Sequence, residues 1–395
     1  MPTETYKSNP YDLAVDTISE EDLSALAQWM TAYPRLTMDQ VTRRFEQEWA
    51  RWLGVRYGVM TNSGSSANLL MYAALDSTGR AGKRRVIVPA TGWATTIAPA
   101  IQLGWRPEMC GTDPSTYGLD GDHLRRLLER EPADAVILVH TLGVPTRMGP
   151  LLELQRRHGF ALMEDCCASH GARHQGRLVG TFGAMSSFSF YYGHHMSTIE
   201  GGMVCTDDEH LYHHLLMLRS HGWLKDLPEA IRRCMEDHYS VDPFGAPFTF
   251  AVPGFNVRPT DLSAKIGLMQ LERLDQTNQR RAANHRIYQQ RLAGALEYAK
   301  GQEGDVPCSI SFCAVACSSA QRKEIIRRLV AAGVDTRLFT AGNLGRHPFW
   351  VDRYGAFSSP VADKLYSAGF FLPNNQALDG EDIARICDVV SGALG

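Results

Sequence analysis

Two spacings of apolar residues run through this chain. Short β-rich runs at Val86 to Val88, Ala135 to Val139, Phe160 to Met163, Ser186 to Phe190 and Met203 to Thr206 are separated by stretches with helical periodicity. That alternation predicts an α/β fold with a mainly parallel, helix-covered sheet. Before the first strand, TMDQVTRRFEQEWARWL (Thr37 to Leu53) places Val41, Phe45, Trp49 and Trp52 on one helical stripe, and Gly54 follows as a stop. From Leu262 through Leu292 the text is helical, with no Gly after Gly267 and no Pro, which predicts a long connector between domains. The pattern then changes. CSISFCAVAC (Cys308 to Cys317) alternates like a strand, and SSAQRKEIIRRLVAAG supplies a Ser cap, an apolar stripe and Gly333 as terminator. The predicted organisation is an N-terminal arm over residues 1–36, a large domain over 37–275, and a smaller C-terminal α+β domain over 276–395.

At 395 residues the chain is long enough for two domains. Its 44% hydrophobic and 21% charged residues match an ordinary globular protein, which excludes disordered and collagen-like classes. A formal net charge of −3 without long single-sign blocks gives no electrostatic support to a nucleic-acid or membrane-surface role. The uncharged stretch Val86 to Trp105 is interrupted by Pro89, Gly92 and Pro99, so it reads as a strand and a helix rather than a membrane span. The first residues, MPTETYKSNPYD, carry no basic segment leading into an apolar one, and the expected location is the cytoplasm. Nine cysteines without a CxxC pair indicate neither a disulfide framework nor a zinc ribbon.

Three segments carry candidate chemistry. TNSGSSANLL (Thr61 to Leu70) follows the expected strand Tyr57 to Met60 and opens a helix near Ser66. Gly64 there permits close backbone approach, Ser65 and Ser66 add hydroxyls, and the helix start favours a phosphate. Read alone, it is equally an ordinary Ser-rich cap. In FALMEDCCASHGA, Glu164 and Asp165 end an apolar strand where α/β proteins place ligand contacts, and an acid there can pair with a protonated heterocyclic nitrogen or form a structural bond. Trp93, in PATGWATT, offers an aromatic face to a flat cofactor or a piece of core. The third segment is SSFSFYYGHHMSTIEGGMVCT, Ser186 to Thr206.

In order and spacing these segments resemble the DegT/DnrJ/EryC1/StrS sugar aminotransferase family of fold-type I pyridoxal-phosphate enzymes. In that family a Ser-rich helix start binds the phosphate, an Asp holds the pyridine nitrogen, and an SFxxxK segment before EGG supplies the Schiff-base lysine. Matching SFYYGHH to that pattern puts His194 at the lysine position. The chain has only seven lysines, Lys7, Lys83, Lys225, Lys265, Lys300, Lys323 and Lys364, and none falls in this segment. His-His at this place, together with DTRLFTAGNLGRHPFW (Asp335 to Trp350), is similar to the branch of deoxysugar 3-dehydratases, which share a TRxxxAGNxxRxP signature.

The resemblance implies a fold-type I large domain with a small C-terminal domain, and the cofactor pyridoxal or pyridoxamine 5′-phosphate. It implies removal of the C3 hydroxyl of a nucleotide-linked 4-keto-6-deoxy sugar, with His194 as the base at the cofactor's C4′ carbon and Asp165 on the ring nitrogen. A neutral histidine, ordinarily titrating near ~6.5, accepts protons without forming a covalent imine. Gly64, Ser65, Ser66, Trp93 and Ser187 would complete the cofactor site, with Ser187 preferred over Ser189 for the phosphate. Asn256, in GFNVRPTDLSAKIG, would reach the phosphate of a neighbouring subunit in a homodimer. Arg258 would bind a carboxylate of an amino donor or form a surface ion pair. His195 is expected to orient the loop or the substrate phosphate. Cys234 is alone between His221 and Phe255, so the four cysteines of the iron–sulfur branch are missing at their spacing and glutamate is the expected amine source.

Some positions depart from the branch. Ala168 stands where Asp is usual, Ile199 where Gly precedes Glu200, and His170-Gly171 looks like the aminotransferase version. They leave open an atypical aminotransferase, a deoxygenase acting on another ketone, or a non-catalytic homologue that keeps the cofactor pocket. His210, His213 and His214 have metal-ligand spacing on a helix but no carboxylate partner, and no metal site is assigned.

Overall fold

The computed structural model describes residues 9–394, and the first eight residues, on which most of the expectation about the N-terminus falls, lie outside the described part. Twelve strands follow one another: β1 Tyr57–Thr61, β2 Arg85–Pro89, β3 Arg106–Cys110, β4 Ala135–Val139, β5 Ala161–Asp165, the short pair β6 Arg173–His174 and β7 Arg177–Leu178, then β8 Met185–Ser189, β9 Gly202–Thr206, β10 Glu297–Tyr298, β11 Ser311–Val315 and β12 Gly369–Pro373. Seven of them form the large sheet in the order β1-β9-β8-β5-β4-β2-β3. Only β9 runs against its neighbours in that sheet, so the expected mainly parallel α/β architecture is what the chain adopts.

The β2 and β4 runs are apolar because helices cover both faces of the sheet. Val86, Ile87, Val88, Ala135, Val136, Ile137 and Leu138 are all fully buried, which is why these runs read as continuous rather than alternating. The helix Gln40–Leu53 packs Phe45 and Trp49 onto Phe188 and Phe190 of the β8 segment, and Gly54 ends it in the left-handed conformation at φ 86°.

A second, antiparallel sheet, β10-β11-β12, builds the smaller core around Phe312, Phe339, Phe370 and Ile386. The expected single connector from Leu262 to Leu292 is two helices, Asp261–Leu271 and Leu274–Arg291. The break at Glu272 and Arg273 lets the side chain of Arg273 turn to Asp22, in the N-terminal helix Glu20–Met30, at 2.6 Å. The predicted boundary at 275/276 falls in the first turn of the second helix. The N-terminal segment is tied to the smaller sheet's surroundings, with Tyr11 bridging Val334 and the Asn375 side chain donating to the Asp12 carbonyl at 2.7 Å. No helix among the described residues is long and apolar enough to cross a membrane.

Candidate functional site

The site forms where β1, β2, β5 and β8 end at one edge of the large sheet, as parallel strands place their carboxyl ends together. After β1, Ser63 caps the helix Gly64–Ser77, accepting the Ser66 N–H at 3.1 Å. The first helical turn leaves the Gly64 and Ser65 N–H groups without intrahelical acceptors, aimed at whatever lies in front of the helix. The helix begins at Gly64, two residues before the expected start at Ser66. Gly64 is obligatory: a β-carbon there would stand 2.5 Å from Ser189 Cβ and 3.0 Å from Cys167 Sγ. A cradle shaped by a missing side chain, a helix start and exposed Ser65 suit a phosphate. The Ser66 hydroxyl donates to Asn62 Oδ1 at 2.6 Å and so shapes the turn.

Glu164 and Asp165 face opposite ways because successive strand residues alternate. Glu164, fully buried, accepts the Gly180, Phe182 and Gly183 N–H groups and pairs with His140 Nε2 at 3.0 Å, so it is structural. Its neighbour Cys166 lies within ligand distance of that pair, but His140 Nδ1 already accepts the Thr146 N–H at 3.0 Å, leaving the group committed to the fold. Asp165 faces the cradle. Its Oδ2 accepts Asn68 Nδ2 at 2.9 Å and the Thr96 hydroxyl at 2.7 Å, and its Oδ1 accepts the Cys167 N–H at 3.1 Å. A carboxylate oxygen has room for two donors, so Oδ1 keeps a lone pair for a protonated ring nitrogen. Asn68 and Thr96 escaped the sequence reading although both lie in segments singled out there. Asn68 is one helical turn beyond Ser65, and that spacing was the available signal.

Ser187, preferred in the sequence as the phosphate serine, has another partner here. Its side chain is fully buried and its hydroxyl donates to Asn68 Oδ1 at 2.6 Å, one step deeper in the network under Asp165. Ser189, two residues nearer the strand end on the same face, is the serine that stands against Gly64. Trp93 is 62% exposed, just ahead of the helix Ala94–Gln102 that contributes Thr96. The second motif of the resemblance meets this rim, where the Thr340 hydroxyl donates to the Gly92 carbonyl at 2.6 Å.

His194 and His195 follow β8 in a turn and part company. His194 is half-buried; its Nδ1 is enclosed without a partner, which leaves Nε2 as the nitrogen with access to the open side. Burial, then the nearby Arg281 guanidinium, push its pKa down to about 4, against an opposing pull from Asp165. His195 points away, buried, with Nε2 donating to the Cys308 carbonyl at 2.9 Å. This contact ties the histidine turn to the segment ahead of β11. Under both lies His170, stacked on His195 at 5.0 Å between ring centroids and 6.3 Å from His194, inside a cage of Trp49, Phe188 and Phe190. Neither of its ring nitrogens finds a hydrogen-bond partner of good geometry.

Asn256 and Arg258 lie on an exposed loop, the Arg258 Nε donating to Asn256 Oδ1 at 3.1 Å. The loop is tied to the cradle through the Asn62 N–H and the Val257 carbonyl at 3.0 Å, while both side chains stay on its open side. His214, of the histidine-rich helix, bonds Ser77 through Nδ1 at 2.7 Å and meets His210 edge to face, 4.7 Å between ring centroids.

The family model of the DegT/DnrJ/EryC1/StrS aminotransferase family matches residues 16–391. The chain belongs to this family. Among its relatives, the GDP-4-keto-6-deoxy-D-mannose 3-dehydratase of Yersinia pseudotuberculosis is 33% identical over 388 residues, covering 96% of this chain and 98% of that protein. The dTDP-4-dehydro-2,6-dideoxy-D-glucose 3-dehydratase of Saccharopolyspora spinosa is also 33% identical, over 88% of this chain and 78% of its own length. Among solved structures, the Escherichia coli GDP-4-keto-6-deoxy-D-mannose 3-dehydratase with bound hydrated PLP superposes with a TM-score of 0.88 at 30% identity, covering 97% of this chain and all of that one. The family's fold-type I architecture is thus the one described above.

Proposed function

We propose that this chain is a lyase dependent on pyridoxal and pyridoxamine phosphate, removing the C3 hydroxyl of a nucleotide-linked 4-keto-6-deoxy sugar. The observation that carries the reading is His194, a half-buried imidazole held neutral, at the strand-end position where the family's transaminases carry lysine. The residues present fit the cofactor: a glycine cradle at a helix start for its phosphate, and a carboxylate with one free lone pair for its ring nitrogen. Bound there, the pyridoxamine form supplies an amine for the keto group and a ring that draws off negative charge.

Gly64, Ser65 and Ser189 bind the phosphate, with Ser66 shaping the turn. Trp93 would offer its aromatic face to the ring, and Asp165 would hold the ring-nitrogen proton. With the cofactor and substrate bound, His194 Nε2 would accept the proton from the cofactor's C4′ carbon and return one to the departing C3 oxygen, which would leave as water. Glutamate regenerates the amine; relatives named as 3-dehydratases include a structure with a trapped PLP-glutamate geminal diamine, similar to this chain at a TM-score of 0.87. Arg258 is the guanidinium placed to receive a carboxylate, and Asn256 reaches a second copy's phosphate in a homodimer; their exposed position supports both roles. Nine unpaired cysteines suit the reducing cytoplasm.

Incubating the purified protein with pyridoxamine phosphate, glutamate and either a GDP- or dTDP-linked 4-keto-6-deoxyhexose tests the reading. A product lacking the C3 oxygen is expected, and borohydride treatment of the PLP-loaded protein should add no mass. An amino-sugar product, or a reduced adduct on any lysine, would overturn it.

A further inference from the structure

Three arginines are almost wholly buried, and two of them have carboxylate partners. Arg85 meets Glu108 and Glu131, and Arg219 meets Glu46. Arg281, 1% exposed on the helix Leu274–Arg291, has none among the described residues. A buried charge without a counter-ion is costly and persists only where hydrogen bonds replace its water. Arg281 spends its two terminal nitrogens on four neutral acceptors: the carbonyls of Ile310 at 3.1 Å, Asn374 and His194 at 3.3 Å, and Gln376 Oε1 at 2.9 Å. Asn374 answers by donating to the Arg281 carbonyl at 3.1 Å and the Ser309 carbonyl at 2.9 Å. The acceptors come from the histidine turn of the large sheet, the approach to β11 and the loop after β12.

We propose that Arg281 is a positioning residue for His194: it holds the histidine turn by its carbonyl and stations an uncompensated positive charge behind the imidazole. A carboxylate partner would cancel that charge. Left bare, it opposes a second positive charge on the adjacent ring and so keeps the ring ready to accept a proton. The other groups facing His194 are Asp165, which pulls the opposite way, the neutral rings of His170 and His195, and the edge of Tyr191. Cys308 is the titratable group beside Arg281 itself, and burial holds its thiol protonated. The arrangement makes the base depend on a residue of the small-domain side of the junction. It rests on the reading of His194 as the base.

The test is the rate at which diethyl pyrocarbonate, which attacks neutral imidazole, modifies the His194 peptide of the full-length protein from pH 5 to 8, read by mass spectrometry alongside kcat and KM. In the native protein the rate should stay flat to about pH 5.5. In Arg281→Gln the titration midpoint should rise only by the guanidinium's share, since burial remains, so that a midpoint near ~5 lowers the rate roughly twofold at about pH 5, and kcat should fall with little change in KM. Arg281→Lys should restore the flat profile without restoring kcat, because an ammonium supplies the charge but cannot span four acceptors. A native protein whose His194 titrates near ~6.5 overturns the inference without any variant. So does a folded Arg281→Gln with native profile and kcat. Failure of the underlying reading looks different: His194→Asn would then keep native turnover, whatever the modification profiles show.

Discussion

The two ends of the pocket are built on opposite principles. At the acid end, Asp165, Asn68, Thr96 and Ser187 form a connected chain of hydrogen bonds centred on the carboxylate, and the Tyr72 hydroxyl extends it to the Thr96 carbonyl at 3.0 Å. At the base end, His170, His194 and His195 bury ring nitrogens that have no partner among the described residues, beside a guanidinium that has no counter-ion among them. A satisfied network fixes a charge in place; an unsatisfied one keeps imidazoles uncharged. The acid end therefore suits holding a proton on a ring nitrogen, and the base end suits taking one from carbon.

The largest effect that sharpens this contrast is on turnover. His194→Asn should lose roughly a hundred to ten thousand fold in kcat while cofactor binding, followed by absorbance titration, stays near native. Near-normal turnover with His195→Asn inactive would shift the base by one residue.

Next in size is an acid sensitivity to which the base end and its neighbour His285 contribute most, with smaller shares from the partly buried His123, His213 and His214. Burial lowers the pKa of His170 and His195, and takes that of His194 to about 4 and of His285 to about 3. In the unfolded chain these groups titrate near ~6.5. Above that pH neither state is protonated and stability is complete; as pH falls below it, only the unfolded chain takes up protons, and stability is lost until the folded values are passed. Each group contributes up to roughly 1.4 kcal/mol per pH unit in that window. Urea midpoints at pH 7.5 and 5.5 should differ accordingly, and His170→Phe should remove one group's share of the difference, because the imidazole gives up no well-formed hydrogen bond. An unchanged slope in His170→Phe would show that His170 is not buried neutral.

At the acid end the matching substitution should do harm. Asn68→Leu removes a donor from Asp165 and the acceptor of Ser187, and should cost about 1–3 kcal/mol together with weaker cofactor binding. The effect should be independent of pH between 5 and 8, and a strong pH dependence there would break the contrast.

The smallest effect lies just beyond both ends. Ile199 is exposed yet held at φ 71°, in the left-handed region that a β-branched side chain resists. Ile199→Gly should stabilise the protein by about 1 kcal/mol or less, the relief of strain being partly offset by the greater freedom of glycine in the unfolded chain. A destabilised variant would mean that the Ile199 side chain makes a contact worth more than its strain.

The sequence by itself determined the parallel sheet, because strands buried on both faces are written as unbroken apolar runs, and it determined the cradle, because Gly64 and its serines follow β1 directly. It also placed a histidine where the family's transaminases carry lysine. Local spacing could not show that Ser187 and Ser189, which share a face, meet different neighbours, Asn68 for the one and Gly64 for the other. Nor could it divide the stretch Leu262 to Leu292, whose break at Arg273 answers an aspartate 251 residues away. The uncharged state of His194 belongs to the tertiary structure entirely. It comes from burial and from Arg281, 87 residues further along, and desolvation is a property of what surrounds a group in space rather than of what precedes it in the chain.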